Sequence, residues 1–476
     1  MTRDIDLKPE KNAKPNGGNR MMLAITIPLV VSIVVALLFL GGVIVSRLAA
    51  KPEPTASPTV TLVPTFTATA VAEEPLPPAT ETPAEPLATP EPVQTSTGEN
   101  VEPTASPSVQ PPSSGPVQVA SPDYGIQAFL WWQPEVAHRD LSLIRDGGFT
   151  WVKQWFAWSD IEGQGKGQYD WSTADRVVDM VDEFGLNLLV RVDHAPAWAG
   201  APPENLDHFA DFLTALATRY KGRIDAYQIW NEPNLAREWG NNPPNAQEYT
   251  QMLKRGYETI KRIDPNALIV SAGMAPTTEL SQRAVPDTQF VQSMYKAGAQ
   301  PYFDMLGAHG AGYKAPPEMD PGDVANDPNY YNVGDPNCPG AGCRIYCFRH
   351  VEDLRQIMVD NGDANKKVTV LEFGWTMDER PDSPYYWHRV ADQFVQGDYM
   401  VRAYKYAKEH WQPWIGIMSV IYMPDAKWTQ ADEQYWWSVM EPSQVDELFL
   451  KAPYVMLCEY LNEVRGLPRC RYLPAN

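Results

Sequence analysis

Tyr227-Gln228-Ile229-Trp230-Asn231-Glu232-Pro233-Asn234 is an apolar run that meets a carboxylate and then a proline. Its first four residues favour an extended strand, and Pro233, which has no backbone N–H, prevents the ladder from continuing past Glu232. The glutamate is therefore set at a strand end. Some 140 residues on, Val368-Thr369-Val370-Leu371-Glu372-Phe373-Gly374-Trp375 repeats the arrangement with a more apolar approach. A carboxylate there loses water and has to be paired or functional.

Working outward from these two segments, short β-branched or aromatic runs alternate with longer amphipathic ones from Asp123 onward, the signature of βαβ units around a parallel sheet. Eight strands are expected, at 125–129, 151–155, 187–192, 226–230, 267–272, 305–309, 367–373 and 416–422. Helical patterns fall between and after them at 174–184, 206–220, 246–263, 287–297, 351–360, 390–410 and 452–464. Eight units predict an α/β fold, a (β/α)8 TIM barrel with long loops. No Gly-x-Gly-x-x-Gly follows the first strand, which removes the usual dinucleotide fingerprint. In such a barrel the chemistry gathers where strands end, at the C-terminal face. That rule selects Trp155, Asp193, His194, Asn231, Glu232, His309, Glu372 and Tyr422. Two glutamates at one end of a barrel are what glycosidic cleavage needs, one protonating the leaving oxygen and one attacking the anomeric carbon. Taken singly, either would read equally as a salt bridge at the rim.

Composition divides the chain. Residues 51–120 hold 16 of the 45 prolines and no tryptophan, whereas all 16 tryptophans lie between Trp131 and Trp437. The first stretch cannot bury a core and is expected to be an extended, disordered Pro/Thr/Ser-rich stalk over 47–121, with its Thr and Ser as candidate O-glycan sites. Residues 21–45 carry no charge, long enough as a helix to exceed a hydrocarbon core of roughly 30 Å. They predict a transmembrane signal-anchor helix over 21–46 after a basic cytoplasmic segment, 1–20, which leaves a catalytic domain at 122–476 outside the cytoplasm. The competing reading is a cleaved signal peptide and a secreted protein, although its apolar region would run to about 7–15 residues. Residues 122–476 carry a net charge of −16, which repels phosphate backbones and argues against nucleic acid as a partner.

Asn231-Glu232-Pro233 ending the fourth strand, with Glu372-Phe373-Gly374-Trp375 ending the seventh, resembles the clan A glycoside hydrolases. Trp158-Ser159-Asp160-Ile161-Glu162 and Ala195-Pro196-Ala197-Trp198-Ala199 point towards the family 39 and family 5 catalytic domains within that clan. The resemblance covers residues 123–476 and implies a retaining mechanism with Glu232 as acid/base, Glu372 as nucleophile and Asn231 as partner of the sugar 2-hydroxyl. His309 and Tyr313 resemble the family's residues that orient the nucleophile and line the subsite. Where many relatives carry an Arg near the end of the second strand, this sequence has Lys153, a point charge in place of a planar fork. Support for Glu372 is therefore expected from Lys153 or from Arg191, which reads equally as a buried counter-ion.

Sugar rings present apolar faces to aromatic side chains, so Trp155, Trp158, Trp198, Trp375 and Trp428, at or just beyond strand ends, are candidate subsite platforms beside His194 and Tyr422. Trp171 and Trp230 read as packing. The long connection 310–349 carries Cys338, Cys343 and Cys347, with His350 beyond it. In an extracytoplasmic domain a disulfide with one thiol left over is expected there in preference to a zinc cluster, and Cys458 either pairs with Cys470 or packs in the core. The chemistry requires neither metal nor cofactor. The expectation is a membrane-anchored hydrolase of a β-linked polysaccharide or oligosaccharide. The alternatives are a non-catalytic carbohydrate-binding protein that uses the same cleft, and a transglycosylase.

Overall fold

In the computed structural model the described residues are 115–471, apart from 203, 205, 446 and 447. The expected cytoplasmic segment, the transmembrane helix over 21–46 and the stalk as far as residue 114 lie outside them. Among the described residues no helix is long and apolar enough to cross a membrane.

Eight parallel strands close into a barrel in sequence order, β1 pairing with β8. They are β1 (Asp123–Ala128), β2 (Trp151–Ala157), β3 (Asn187–Asp193), β4 (Ala226–Ile229), β5 (Leu268–Ser271), β6 (Met305–Ala311), β7 (Lys367–Gly374) and β8 (Ile415–Val420). All eight expected strands are present, with ends shifted by at most two residues. The expected helices are present too, among them Ala246–Ile263 and Val351–Asp360 at the expected bounds. A further helix, Pro134–Asp146, follows β1.

Side-chain alternation along the strands builds two cores. One set packs between strands and helices. The other fills the barrel floor with Trp151, Leu189, Ala226, Val270, Met305, Leu371 and Ile417, as a closed barrel requires. With a period of two, Trp151 on the floor leads to Lys153 above it and Trp155 at the mouth, while Leu189 leads to Arg191 and Asp193. One stripe of residues thus runs from the apolar floor to the chemistry.

The N-terminal boundary is corrected here. Val117 and Val119 pack on the barrel floor, and Lys367 Nζ hydrogen-bonds Val119 O at 2.6 Å. The last residues assigned to the stalk therefore belong to the barrel, because they close its open end with apolar side chains.

The helix Ala246–Ile263 shows how the outer layer fixes the mouth. Asn245 caps it by accepting from Gln247 N and Glu248 N. Its Tyr249 hydroxyl then donates to Ile229 O at 2.9 Å and accepts from Ala272 N at 2.6 Å. A single buried tyrosine holds the exits of β4 and β5 at a fixed spacing.

Candidate active site

The Asn-Glu-Pro-Asn segment leaves β4 in a strained turn. Trp230 and Glu232 have φ values of 69° and 43°, a region that costs side-chain-bearing residues of order 1–3 kcal/mol and persists only where neighbours enforce it. The neighbours are visible. Gln228 Nε2 donates to Trp230 O at 2.9 Å and to Asn231 Oδ1 at 3.1 Å, and Glu232 N donates to Gly273 O at 3.0 Å. Asn234, fully buried, bonds Ala275 O, Ala275 N and Val285 O, each at 2.9 Å. Sequence reasoning assigned Asn234 no task, and it ties the turn to the exit of β5.

Glu372 reaches the cleft by a different device. The β6–β7 register slips at Ala308/His309, so that His309 pairs with Glu372 and Leu371 is passed over. This bulge lets Leu371 point to the barrel floor and the next residue, Glu372, line the cleft, which strict alternation forbids.

His309 stands between the two carboxylates. Its Nδ1 lies 3.1 Å from Glu232 Oε1 and 4.0 Å from Glu372 Oε2. Space for the ring exists because residue 273 is glycine: a Cβ there would come within 2.3 Å of His309 Cδ2 and Nε2. Arg237 donates to Glu232 Oε2 at 3.1 Å and to Glu238 Oε1 at 3.1 Å. Lys153 Nζ bonds Glu372 Oε1 at 3.0 Å and Leu371 O at 3.1 Å, and Arg191 stands 3.8 Å from Glu372 Oε1. Burial by itself would raise the Glu372 carboxyl. Lys153, His309 and Arg191 outweigh it and bring the group down to about 2. Lys153 and Arg191 both stand beside Glu372, with Lys153 the nearer. Arg191 is divided, its Nε 2.7 Å from Asp193 Oδ2. Asp193 also accepts from the Trp155 indole and lies 2.9 Å from His194 Nδ1, a bond that raises the His194 pKa.

The cleft above these groups has a volume of about 730 Å³, large enough for sugar rings. Asn231, Glu232, Glu372, Arg191 and His309 line it, as do Trp155, His194, Tyr313, Tyr422 and Trp428. Lys153 lies buried beneath Glu372. The rings of Tyr422 and Trp428 each pack edge-on against Phe129. Tyr313 packs against Tyr346, Trp387 and His388 and makes no hydrogen bond to Glu372.

Three of the expected aromatic platforms are corrected. Trp375 is fully buried, its indole donates to Ala315 O at 3.0 Å, and its ring lies so close to Gly312 that a Cβ there would sit 1.9 Å away. It anchors the long β6 loop instead of meeting substrate. Trp198 donates to Glu162 O and Trp158 to Glu162 Oε2, both at 2.6 Å, and the two rings pack together outside the cleft. The loops also bring in residues that sequence reasoning missed, notably Arg237, Tyr385, His388, Glu433 and Trp437. Arg237 is only five positions beyond Glu232, a spacing that could have exposed it. The others come from connections with no strand-end signal.

In the long loop Cys338 pairs with Cys343 and leaves Cys347 a buried thiol, while Cys458 pairs with Cys470. Among the described residues no group of His, Cys, Asp and Glu is arranged to hold a metal ion.

The cellulase (glycosyl hydrolase family 5) model matches residues 114–304, from the segment closing the barrel floor to the residue before β6. The barrel is similar to a family 39 glycoside hydrolase from the gut symbiont Bacteroides cellulosilyticus WH2, at 18% identity and a TM-score of 0.54, covering 73% of this chain and 64% of that one. The chain thus spans a little under two thirds of that protein's length. It is also similar to GH5_18 from Streptomyces cattleya, solved in complex with GlcNAc, at 13% identity and a TM-score of 0.51, covering 75% and 82%. At these identities the likeness is one of fold. No curated protein sequence matches the chain. The closed barrel, and the family 5 match that runs through its first five strands, are features the described domain shares with glycoside hydrolases. Within that class it resembles clan A, with family 5 in its sequence match and families 39 and 5 among its structural neighbours.

Proposed function

We propose that the protein hydrolyses O-glycosidic bonds of a β-linked glycan with retention of configuration, and does so outside the cytoplasm on a membrane anchor. The observation that carries the catalytic part is that one imidazole nitrogen, His309 Nδ1, lies within 4.0 Å of both carboxylates. The bridge puts both carboxylates beside one imidazole, where they can flank a single glycosidic bond, and retention is the outcome that the resemblance to clan A implies. Glu372, held ionised by Lys153 and Arg191, attacks the anomeric carbon. Glu232 gives a proton to the departing oxygen. In the second half Glu232 takes a proton from water, which displaces Glu372 and releases the sugar with its original configuration. With Oδ1 of Asn231 engaged by Gln228, its Nδ2 is the atom left to donate to a sugar hydroxyl. The anchor rests on the uncharged run 21–45 and the basic residues before it.

The test is release of reducing sugar by the full chain from a panel of β-linked polysaccharides and aryl glycosides. Turnover that falls ~10³-fold or more in Glu372→Gln and in Glu232→Gln, with unchanged melting, supports the reading. Full activity in either variant removes that residue from the chemistry. Glycan binding without release makes the protein a binding module.

A further inference from the structure

Carboxylates outnumber cations around the cleft. Glu232, Glu238, Glu279, Glu372 and Glu433 line it, against the guanidinium groups of Arg191 and Arg237. Both guanidiniums are already engaged, Arg191 with Asp193 and Glu372, Arg237 with Glu232 and Glu238. Lys153 is held below the floor by Glu372 and Leu371 O. His388 is buried among Tyr313, Tyr385 and Trp387, which pushes its imidazole down to about 3 and keeps it neutral. A sugar carboxylate or sulfate entering here would surrender its water, meet only cations that are already paired, and face carboxylates of its own sign.

Glu433 is the member of this set to which the proposed reaction gives no task. It opens the short helix Glu433–Trp437 in the connection after β8, and its Oε1 accepts the Trp437 indole N–H at 3.0 Å. The Tyr385 ring packs edge-on against Trp437, and Tyr422, Glu232 and Glu372 line the same cleft as Glu433. The third carboxylate therefore shares one cleft with the pair. It is pinned by one donor and flanked by two aromatic rings. Carboxylate oxygens accept from hydroxyl groups, and aromatic faces cover the C–H face of the ring that carries them.

On the reading that this cleft holds a glycan, we infer that Glu433 is a specificity-determining residue: it hydrogen-bonds hydroxyl groups of a neutral sugar ring and excludes rings that carry a carboxylate or sulfate. The experiment is calorimetric binding at low ionic strength by the full chain carrying Glu372→Gln, which reads recognition without turnover. The probes are cello-, xylo- and manno-oligosaccharides against oligogalacturonate and alginate oligomers. A neutral oligomer is expected to bind ~100-fold or more tightly than either uronate. Adding Glu433→Gln, which keeps an oxygen for Trp437, is expected to weaken neutral binding ~10-fold, the value of a hydrogen bond to a charged group. Adding Glu433→Lys is expected to narrow the gap to the uronates by a similar factor. A uronate that binds as tightly as the best neutral oligomer, no neutral oligomer bound at all, or neutral binding indifferent to Glu433→Gln overturns the inference. Failure of the hydrolase reading shows separately, as absence of reducing sugar from the unsubstituted chain.

Discussion

Lys153 Nζ stands 3.0 Å from Glu372 Oε1, with the lysine almost wholly buried beneath the carboxylate it serves. Burial opposes charge on both partners. It lowers the Lys153 pKa and by itself would raise that of Glu372, yet the attraction of Lys153, His309 and Arg191 wins on the glutamate side. The pair fixes an ionised carboxylate at the floor of the cleft. It gains no bidentate geometry from the lysine.

Removing the lysine charge should therefore change the acid limb of activity. In the native chain Lys153, His309 and Arg191 together hold the Glu372 carboxyl down at about 2. In Lys153→Met the burial effect is left with Arg191 and His309 alone, so the acid limb of kcat against pH moves upward and kcat falls. Stability falls too, because a buried carboxylate loses its nearest cation. The sign in the native chain follows from a depressed folded pKa: this group's contribution is present above the unfolded value near 4.3 and is lost as pH drops towards about 2. A pH–rate profile unchanged in the variant would contradict the assignment.

Gly273→Ala tests the seat of His309. The new Cβ would lie 2.3 Å from the ring, so the imidazole must leave its place between Glu232 and Glu372. Overpacking of this kind costs about 1–3 kcal/mol. The expected result is kcat reduced by ~10²-fold for a displaced catalytic geometry, with the protein still folded by circular dichroism.

Two tryptophans should separate structure from binding. Trp375→Ala removes a fully buried ring and its bond to Ala315, which should cost about 3–5 kcal/mol in thermal or urea unfolding while the folded fraction keeps its KM. Trp428→Ala, at the cleft edge, should raise KM and leave the melting temperature nearly unchanged. Reversal of the two phenotypes would exchange their roles.

A second buried ion group predicts alkaline sensitivity. His350 is held between Asp287, at 2.7 Å, and Asp353, at 3.0 Å. Burial would lower its pKa, but the two carboxylates overcome this and raise it to about 10. A raised folded pKa gives stability that is complete below about 6.5 and declines as pH climbs towards about 10. Melting temperatures across that window should fall in the native chain and fall less in Asp287→Asn, which starts from a lower value.

Much of the barrel and the carboxylate pair was legible because both depend on local pattern. Alternation marks the strands, and Pro233 after Glu232 marks where one must stop. The bulge that turns Leu371 and Glu372 to the same side of the sheet was not legible, since it breaks the period that sequence reading relies on. Trp375 and Trp198 were misplaced for a related reason: position beyond a strand end does not say which way an indole turns, and Gly312 and Glu162 O decided it. Arg237, His388 and Glu433 arrive on loops whose path is set by packing between distant segments, such as the ring contacts of Tyr313, Tyr385 and Trp387 around His388.

The central claim is that Glu372 attacks the sugar while Glu232 handles the proton. Its most direct test is to incubate the full chain with an activated 2-deoxy-2-fluoro glycoside of a sugar it turns over, digest it, and locate the added mass. One sugar per chain is expected, attached to the peptide bearing Glu372 and absent in Glu372→Gln. Label on Glu232, or an unlabelled enzyme that releases product of inverted configuration, would contradict it.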